Sequence, residues 1–167
     1  EESMANIELI ESGEAGDMQE MLEEETNEHK TKIASLEKDL LWTGSDDGLI
    51  QVSKDAGQTW SNVTPKDAGS WMMWNCVETD PFAEGKAFFV GTKYKSDDFA
   101  PYIFKTTDYG KTWTKITNGL PSYNRCVRND PNKKGLLYAG LETGIYISFD
   151  DGNNWQPLQL NLPTKAG

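Results

Sequence analysis

Apolar and polar residues alternate along most of the chain from about residue 32 onward, in short runs separated by turn residues. A two-residue period is typical of β-strands, whose successive side chains point to opposite faces of a sheet. The runs form three sets of four, lettered A to D in chain order. The predicted strands are 33–36, 41–44, 49–53 and 60–63; 75–79, 87–92, 102–106 and 113–116; and 125–128, 136–141, 144–148 and 155–160.

One eight-residue motif stands between strands C and D of every set: SKDAGQTW at 53–60, TTDYGKTW at 106–113 and SFDDGNNW at 148–155. Its glycine adopts the positive φ that a tight turn needs, and its Asp carboxylate folds back onto the amides of the turn. Its Trp begins the return strand and covers the turn. The motif residues are Asp55, Gly57, Trp60, Asp108, Gly110, Trp113, Asp150, Gly152 and Trp155.

The spacing of the strand sets predicts a propeller. Pro81 and Pro131 follow the A strands 50 residues apart, while Gly44, Gly91 and Gly140 end the B strands. A repeat of this length with four strands is typical of a β-propeller blade. We therefore predict an all-β fold, an incomplete β-propeller of about three four-stranded blades. The domain spans 32–167, with blades at about 32–64, 75–117 and 125–160.

Three blades are fewer than a closed ring requires, because propellers typically close with about four to eight blades. Left alone, the three would expose apolar sheet faces and strand edges, which proteins normally cover. We expect further propeller blades to come from the same parent chain or from another copy of this chain.

The start of the chain differs from the rest. Residues 1–31 carry 11 acidic residues and one Lys, whereas residues 32–167 carry 16 acidic and 15 basic residues. Asp17 followed by Glu20 resembles a capping box, and the next apolar residues keep helical spacing. We predict an acidic extension with a short helix at about 18–30. A solvating segment is the favoured role, and docking on the propeller side, pairing with another chain or binding a basic partner are the alternatives.

Composition limits the classes of partner and cofactor. The predicted propeller is almost neutral and has no basic stripe, so we expect no nucleic-acid partner. No apolar run reaches the length of a membrane span. The single histidine, His29, lies in the extension, and no metal-ligand spacing is present, so we expect no metal and no cofactor. Cys76 and Cys126, 50 residues apart, are interpreted as small buried side chains on neighbouring inner strands, with a disulfide as the alternative.

The repeated motif resembles the Asp-box, or BNR repeat, of β-propellers such as sialidases, sortilin-type receptors, xyloglucan-cleaving glycosidases and a photosystem assembly factor. Residues 41–64 and 97–162 particularly resemble the large bacterial proteins labelled sortilin-like or glycosyl-hydrolase BNR proteins. The resemblance covers roughly residues 32–163 and implies a propeller in an extracellular or cell-envelope location. Asp-boxes hold hairpins together in propellers of many activities, so the resemblance implies a structural role for the motif residues.

Strand order divides the loops between two faces. In an antiparallel blade the B–C and D–A loops emerge on one face, and the A–B and C–D loops on the other. The Asp-boxes are C–D turns, so they lie opposite the B–C/D–A face, where propellers of this type generally place ligands. Loops 65–74 and 93–101 on that face are rich in aromatic and charged residues. The candidate ligand-binding residues are Trp71, Trp74, Tyr94, Lys95, Asp97, Asp98, Tyr123 and Arg125.

Aromatic rings beside charged groups are typical of glycan binding, since rings cover the apolar face of a sugar while charged groups bind its hydroxyls. The leading hypothesis is a non-catalytic binding or scaffold module that recognises glycan or protein through this face. Structural roles are the alternatives: Trp74 as inter-blade core, Asp97 and Asp98 as turn caps, and Arg125 in an ion pair with Glu78 or Glu142.

Enzyme hypotheses meet obstacles in the sequence. A sialidase-like site needs a larger cluster of arginines than the two, Arg125 and Arg128, that the chain contains. A glycoside hydrolase needs two carboxylates at a suitable separation. The B–C/D–A face offers Asp46, Asp47, Asp97, Asp98 and Glu142. The alternative function is therefore a fragment of a glycoside hydrolase, with Asp97 and Asp98 as catalytic candidates, but not a sialidase on its own. A third hypothesis, an intracellular or organellar assembly factor, fits the fold but has no residue in its support.

Overall fold

The computed structural model describes residues 38–158 of the chain. The chain divides into two compact units, Glu1–Lys38 and Asp39–Gly167. The predicted acidic extension at 1–31, its helix at 18–30 and the first A strand at 33–36 all lie outside the described residues.

The described residues form strands in the predicted order. The strands are β1 (Leu41–Gly44), β2 (Ile50–Ser53), β3 (Ser61–Asn62), β4 (Met73–Thr79), β5 (Ala87–Lys93), β6 (Asp98–Thr106), β7 (Thr114–Lys115), β8 (Asn124–Asn129), β9 (Leu137–Leu141), β10 (Gly144–Ser148) and β11 (Gln156–Pro157). They pair antiparallel in chain order into three sheets: β1 to β3, β4 to β7, and β8 to β11. Helical structure in this part of the chain is limited to two 3₁₀ turns, Lys66–Ala68 and Tyr94–Ser96. The predicted all-β fold with three propeller blades is confirmed.

Blade 2 holds the centre of the core because it is packed on both sides. Its strand β5 is buried at every position from Ala87 to Thr92, which explains why this stretch is apolar without alternation. Ala87 and Phe89 pack with the side chains of blade 1, whereas Phe88 and Val90 pack with those of blade 3. The core therefore consists of two layers between successive sheets.

Each blade thus has two sides, which we call its leading face, toward the preceding blade, and its trailing face, toward the following blade. Between blades 1 and 2, Trp74 lies 6.0 Å from Phe89 and 5.7 Å from Phe104, both measured between ring centroids. The rings meet edge to face, the arrangement that aromatic pairs favour. Between blades 2 and 3 the layer is mainly aliphatic and includes Ile103 and Leu137.

The bounds of the outer strands and of β6 differ most from the predicted bounds. The outer strands β3, β7 and β11 each pair over two residues, and short edge strands offer little backbone for unwanted pairing. Strand β6 begins at Asp98 rather than at residue 102, because pairing resumes past an irregularity with Lys93 opposite Asp98. Pro101, which has no N–H to donate, lies within that irregularity.

The two cysteines are free thiols on β4 and β8, the first strands of blades 2 and 3. Cys76 is buried and Cys126 is half-buried. Their positions agree with the interpretation that they are small side chains on neighbouring inner strands.

Candidate functional site

Hydrogen bonds between loops show which of them share a face. The backbone N–H of Tyr123 donates to the carbonyl of Phe99 (2.8 Å), which joins the D–A loop after blade 2 to the start of β6. On the other face, the N–H groups of Ala56, Tyr109 and Asp151 donate to Asp39, Gly85 and Gly135, at 2.9, 3.0 and 2.9 Å. Each Asp-box turn is therefore hydrogen-bonded to the segment that precedes strand B of its own blade. The Asp-box turns and the B–C and D–A loops lie on separate faces.

The first Asp-box shows how the motif forms its turn. The Asp55 carboxylate accepts hydrogen bonds from the Thr59 N–H (2.8 Å) and the Thr59 hydroxyl (2.6 Å). The Ser53 hydroxyl donates to Asp55 (2.8 Å) and accepts from the Gly57 N–H (2.7 Å). Gly57 has a φ of 90°, in the left-handed region that favours glycine. The side chains of Ser53 and Asp55 thus find their partners within the motif.

The same bonds recur in the other two copies. Asp108 accepts from the Thr112 N–H at 2.8 Å, and Asp150 accepts from the Asn154 N–H at 2.9 Å. These bonds stabilise the ionised carboxylate. Thr59, through its side chain and then its N–H, lowers the pKa of Asp55 from 3.8 to about 2. Thr112 and Asn154 likewise lower the pKa of Asp108 and Asp150. These Asp side chains are occupied in holding turns.

The Trp and Gly of the second and third copies also join blades. The Trp113 indole N–H donates to the carbonyl of Val63 (2.6 Å), and the Trp155 indole N–H donates to that of Ile116 (2.8 Å). Val63 and Ile116 directly follow the outer strands of the preceding blades. A Cβ on Gly152 would lie 2.4 Å from Ile116 Cδ1, so glycine there permits close packing. The motif therefore has a second, inter-blade role.

An ion-pair cluster lies beside the third Asp-box turn. Lys86 Nζ contacts Asp80 at 2.6 Å and Asp151 at 2.7 Å, and Lys105 Nζ contacts Asp151 at 2.9 Å. Burial opposes the charge of Lys86, but the hydrogen bonds that Lys86 donates to Asp151 and Asp80 raise the pKa of Lys86. These contacts link blade 2 to blade 3 on the Asp-box face.

On the B–C/D–A face, aromatic and charged side chains form a surface that we call the Arg125 patch: Tyr94, Phe99, Tyr123, Arg125 and Glu142. The Arg125 guanidinium lies 5.2 Å from the ring centroid of Tyr123 and 5.9 Å from that of Tyr94. Glu142 holds it with contacts of 2.6 and 2.9 Å. Phe99 is 54% exposed, and its ring centroid lies 5.8 Å from that of Tyr123. The patch offers neighbouring aromatic rings and a positioned cation to solvent.

Asp98 and Tyr102 form a second group nearby. The Asp98 carboxylate accepts from the Tyr102 hydroxyl (2.7 Å) and the Ala100 N–H (3.0 Å), which lowers the pKa of Asp98. The same hydrogen bond raises the pKa of Tyr102 to about 12. Lys115 Nζ lies 4.2 Å and Lys93 Nζ 5.2 Å from the Tyr102 ring centroid. Asp98 is thus an ionised, hydrogen-bonded group, whereas a general acid needs a raised pKa.

A cavity of about 530 Å³ opens beside Trp71 and is lined by Asp46, Asp47, Ser70 and Trp71; we call it the Trp71 cleft. Trp71 is 80% exposed and has a φ of 63°. A positive φ is costly for a bulky residue and often marks a functional position. The cleft combines an exposed indole with two carboxylates.

The remaining predicted site residues divide between core and surface. Trp74 is 7% exposed, packs between blades 1 and 2, and donates its indole N–H to the carbonyl of Gly48 (2.8 Å). This position agrees with the alternative prediction that Trp74 is part of the core between blades. Lys95 is exposed in a 3₁₀ turn, and Asp97 ends that turn with a φ of 56°. Arg125 makes the predicted ion pair with Glu142 rather than with Glu78, which Arg128 contacts at 3.1 Å.

Sequence reasoning missed Phe99 and the lysines beside Tyr102. Phe99 was assigned to a loop, yet it lies in β6 and points to solvent. The sequence signal for Phe99 was an aromatic residue at an exposed position of an otherwise alternating strand.

The described residues contain no group of three or more His, Cys, Asp and Glu side chains that could hold a metal ion. Within 38–158, no helix has the length and apolar character needed to cross a membrane.

Residues 48–162 match the model of the Sortilin-Vps10 family, described as sortilin, neurotensin receptor 3. This match covers more than half of the chain and includes all three Asp-boxes. The chain belongs to the Sortilin-Vps10 family.

Relatives of this Sortilin-Vps10 chain include a xyloglucanase from Paenibacillus sp, which is 30% identical over 136 residues. That alignment covers 71% of the chain and 13% of the xyloglucanase. The structure of YCF48 bound to D1 peptide is similar with a TM-score of 0.59 and 25% identity, over 74% of this chain and 38% of YCF48.

A GH74 xyloglucanase from Xanthomonas campestris has a TM-score of 0.55 at 19% identity, over 73% of this chain and 19% of the enzyme. At that identity the likeness supports the propeller fold. The Sortilin-Vps10 chain thus spans a small part of the xyloglucanases and just over a third of YCF48.

Proposed function

We propose that this chain is a binding or scaffold part of a propeller and that it recognises a protein partner through the Arg125 patch. The observation that carries the proposal is the composition of that patch on the B–C/D–A face: the rings of Tyr94 and Tyr123 lie beside the Arg125 guanidinium, and the exposed ring of Phe99 lies next to Tyr123. Aromatic residues and arginine are enriched among the residues that dominate binding energy at protein interfaces.

The contacts within the patch explain why it would bind well. Glu142 and the rings of Tyr94 and Tyr123 already fix Arg125, so little side-chain entropy is lost when a partner docks. The 54% exposure of Phe99 leaves apolar surface to bury. A partner with an apolar side chain beside a carbonyl or carboxylate would complement both groups.

The Asp-box face offers less to a partner. The carboxylates of Asp55, Asp108 and Asp150 accept bonds from their own turns, and Asp151 is held by Lys86 and Lys105. The structure of YCF48 bound to D1 peptide, 25% identical, provides a relative that binds a polypeptide.

Selection from a displayed library of random linear peptides on the full 167-residue chain tests the proposal. Selected peptides are expected to lose about tenfold or more in affinity with Arg125→Ala, because hot-spot truncations cost about 2 kcal/mol. Arg128→Ala is the matched control, since Arg128 lies on the same strand and pairs with Glu78. Equal binding by both variants, or selection of no peptide, would count against the Arg125 patch.

A second candidate function is glycan recognition at the Trp71 cleft, within a binding module or a fragment of a glycoside hydrolase. It is favoured by the 80% exposure of Trp71 beside Asp46 and Asp47 and by the identity to a Paenibacillus xyloglucanase. An exposed indole covers the apolar face of a sugar while carboxylates accept hydroxyl hydrogen bonds. Lys95, Asp97 and Asp98 belong to this hypothesis as further ligand contacts.

Xyloglucan oligosaccharides and polymeric xyloglucan test the glycan candidate. Binding that Trp71→Ala abolishes and Arg125→Ala preserves would assign the glycan to the cleft. Hydrolysis abolished by Asp97→Asn or Asp98→Asn would replace the non-catalytic proposal with a glycosidase. An extracellular or cell-envelope location, implied by the family resemblance, is part of the glycan hypothesis and is checked by fractionating cells of the source organism.

A further inference from the structure

The grooves between the outer strands of successive blades differ. Between blades 2 and 3, the Trp155 N–H donates to the carbonyl of Asn118 (2.9 Å), and the Asn118 side-chain amide donates to Asn154 (2.7 Å). The first repeat has Pro65 at the position of Asn118, and proline has no side-chain amide to make the second bond. Between blades 1 and 2 a cavity of about 530 Å³ opens beside β3 and β7. We call it the β3–β7 groove, and the residues that line it include Lys66, Asp67, Phe104, Lys111, Trp113 and Lys115.

Three lysines border the β3–β7 groove, and each comes from a different segment. Lys66 lies in the D–A loop after blade 1, Lys111 in the second Asp-box turn and Lys115 on β7. All three are exposed, and the salt bridges of residues 38–158 include none of them. Asp67 is the one carboxylate among the described residues that line the groove. The groove therefore has an excess of positive charge.

The repeated sequence does not explain these charges. At the equivalent positions of the other two repeats, counted from the motif Trp, the residues are neutral: Gln58 and Asn153 for Lys111, Asn62 and Pro157 for Lys115, and Gly119 and Asn161 for Lys66. Blades 1 and 3 form their Asp-box turns and outer strands without a lysine at the positions of Lys111 and Lys115. Blade formation thus does not require these charges, whereas an anionic ligand would use them.

The Lys115 end of the groove has two ammonium groups for one carboxylate. Lys115 Nζ lies 4.2 Å and Lys93 Nζ 5.2 Å from the Tyr102 ring centroid, and Asp98 accepts from the Tyr102 hydroxyl (2.7 Å). Partial desolvation lowers the pKa of Lys115, the Asp98 carboxylate raises it, and the charge of Lys93 lowers it again. A further carboxylate beside Lys115 would offset the repulsion between the two ammonium groups. This end of the groove therefore favours an anion.

The floor of the groove is apolar, and its rings are already packed. Phe104 is 2% exposed. The half-buried Trp113 ring meets that of Phe89 edge to face, with 5.6 Å between centroids, and its N–H donates to the carbonyl of Val63 (2.6 Å). A sugar needs an open ring face, whereas an aliphatic side chain needs only apolar surface to cover. The floor therefore suits an apolar side chain better than a pyranose.

We propose that the β3–β7 groove binds an acidic segment of a polypeptide partner. An apolar side chain of that segment covers the floor, and carboxylates on either side of it contact Lys66, Lys111 and Lys115. The lysines reach from the Asp-box turn at one end of the outer strand to the D–A loop at the other. An extended chain with several carboxylates meets all three lysines, whereas a small carboxylate would leave at least one of them unpaired.

The groove does not depend on where the propeller continues. It lies between blades 1 and 2, whereas further blades would pack on the outer faces of blades 1 and 3. It is also separate from the Arg125 patch, which residues of blades 2 and 3 form. The net charge of −11 repels acidic peptides from the chain as a whole, so binding of such a peptide requires a local excess of positive charge.

Fluorescence anisotropy of the full chain with labelled peptides tests the groove. A Gly/Ser peptide that contains Glu-Leu-Glu-Glu is expected to bind, and the matched peptide with Gln-Leu-Gln-Gln is not. Lys111→Gln and Lys115→Gln are each expected to weaken binding about fivefold to tenfold, because each removes a charge-assisted contact. Lys115→Arg keeps the charge and is expected to keep the affinity. Lys134→Gln is the control, since Lys134 is exposed in the A–B connection of blade 3 and its loss changes the net charge equally.

Several results would overturn the assignment of the groove. Equal affinity for the Glu and Gln peptides, or no binding of either, would do so on the wild-type chain even if a variant failed to fold. Equal weakening by Lys134→Gln would show a general effect of charge. Binding that Arg125→Ala abolishes and the lysine variants preserve would place the peptide on the Arg125 patch and leave the proposed function intact. An oligogalacturonate that binds through the same lysines when the peptide does not would replace the polypeptide with an acidic glycan.

Discussion

The first and third Asp-box turns have the same internal hydrogen bonds and opposite surroundings. Asp55 accepts from the Thr59 N–H at 2.8 Å, and Asp150 accepts from the Asn154 N–H at 2.9 Å. Yet Trp60 is 41% exposed, whereas Trp155 is 6% exposed. The comparison separates two roles of one motif: its Ser, Asp and Gly form a turn by local bonds, whereas its Trp joins blades.

Each Trp directly precedes the return strand of its copy, so the three have the same position in the sequence. What differs is the acceptor of the indole N–H. It is the turn's own Gly57 carbonyl for Trp60 and the carbonyl of Ile116, in the preceding blade, for Trp155. Copies of the same motif therefore contribute unequally to the stability of the fold, because the contribution of each Trp depends on the residues that surround it.

Truncating the two rings is expected to give the largest difference. Trp155→Ala should lower the free energy of unfolding by about 3–5 kcal/mol, because it leaves a large cavity between blades 2 and 3. Trp60→Ala should lower it by less, about 1–2 kcal/mol, since 41% of Trp60 remains in solvent and its indole N–H bonds within its own turn. Urea unfolding of dilute chain measures both.

The two losses also test the contact assigned to Trp155. Equal losses for the two variants would contradict the assignment of Trp155 to an inter-blade contact.

The turn glycines offer a smaller contrast. Gly57 and Gly152 have φ of 90° and 86°, so an Ala at either position costs about 1–2 kcal/mol in backbone strain. At Gly152 the new Cβ would also lie 2.4 Å from Ile116 Cδ1, whereas at Gly57 its nearest neighbour is Leu41 Cδ1 at 3.4 Å. Overpacking should add about 1–3 kcal/mol to Gly152→Ala.

Thermal melts of Gly57→Ala and Gly152→Ala measure this difference directly. Identical melting temperatures would show that Ile116 of blade 2 moves aside without cost, and would remove the packing explanation for glycine at position 152.

Acid titration is expected to show the smallest contrast. The pKa of Asp55 is about 2 in the fold against an ordinary 3.8. A lowered pKa gives stability above the unfolded value that is lost as pH falls through the folded value. The melting temperature should therefore decrease between about pH 4 and pH 2, and Asp55→Asn and Asp150→Asn should each flatten that decrease. A decrease that neither variant flattens would show that the turn bonds do not stabilise the ionised carboxylates.

Much of the fold could be predicted because its signals are local. The Asp-box bonds span four residues, and the alternation of β-strands is written in consecutive positions. The prediction of β1 at 41–44 matches the structure, and those of β2, β5 and β9 differ by a single residue at one end. Glycine spacing was a less reliable guide to equivalent strand positions than cysteine spacing. Gly140 lies opposite Ile145 and Gly91 lies opposite Tyr102, and these two partners are not at equivalent positions of β10 and β6.

The candidate site was harder to predict because exposure depends on neighbouring blades. Trp71 and Trp74 stand in one aromatic stretch of the sequence, yet the first is 80% exposed and the second 7% exposed. The rings of Phe89 and Phe104 surround Trp74, and both belong to other strands. Phe99 was not predicted for the Arg125 patch because it lies on β6, which begins at Asp98 and not at residue 102 as predicted.

The sequence by itself determined the three turns, the strand order and therefore the face on which ligand-type loops emerge, because each follows from bonds or periods within a few residues. Only the tertiary structure decided which Trp side chains join blades, which aromatic residues reach solvent and which faces of the set remain open. Those outcomes depend on contacts between residues about 40 to 50 positions apart, and such contacts form when one blade stacks on another.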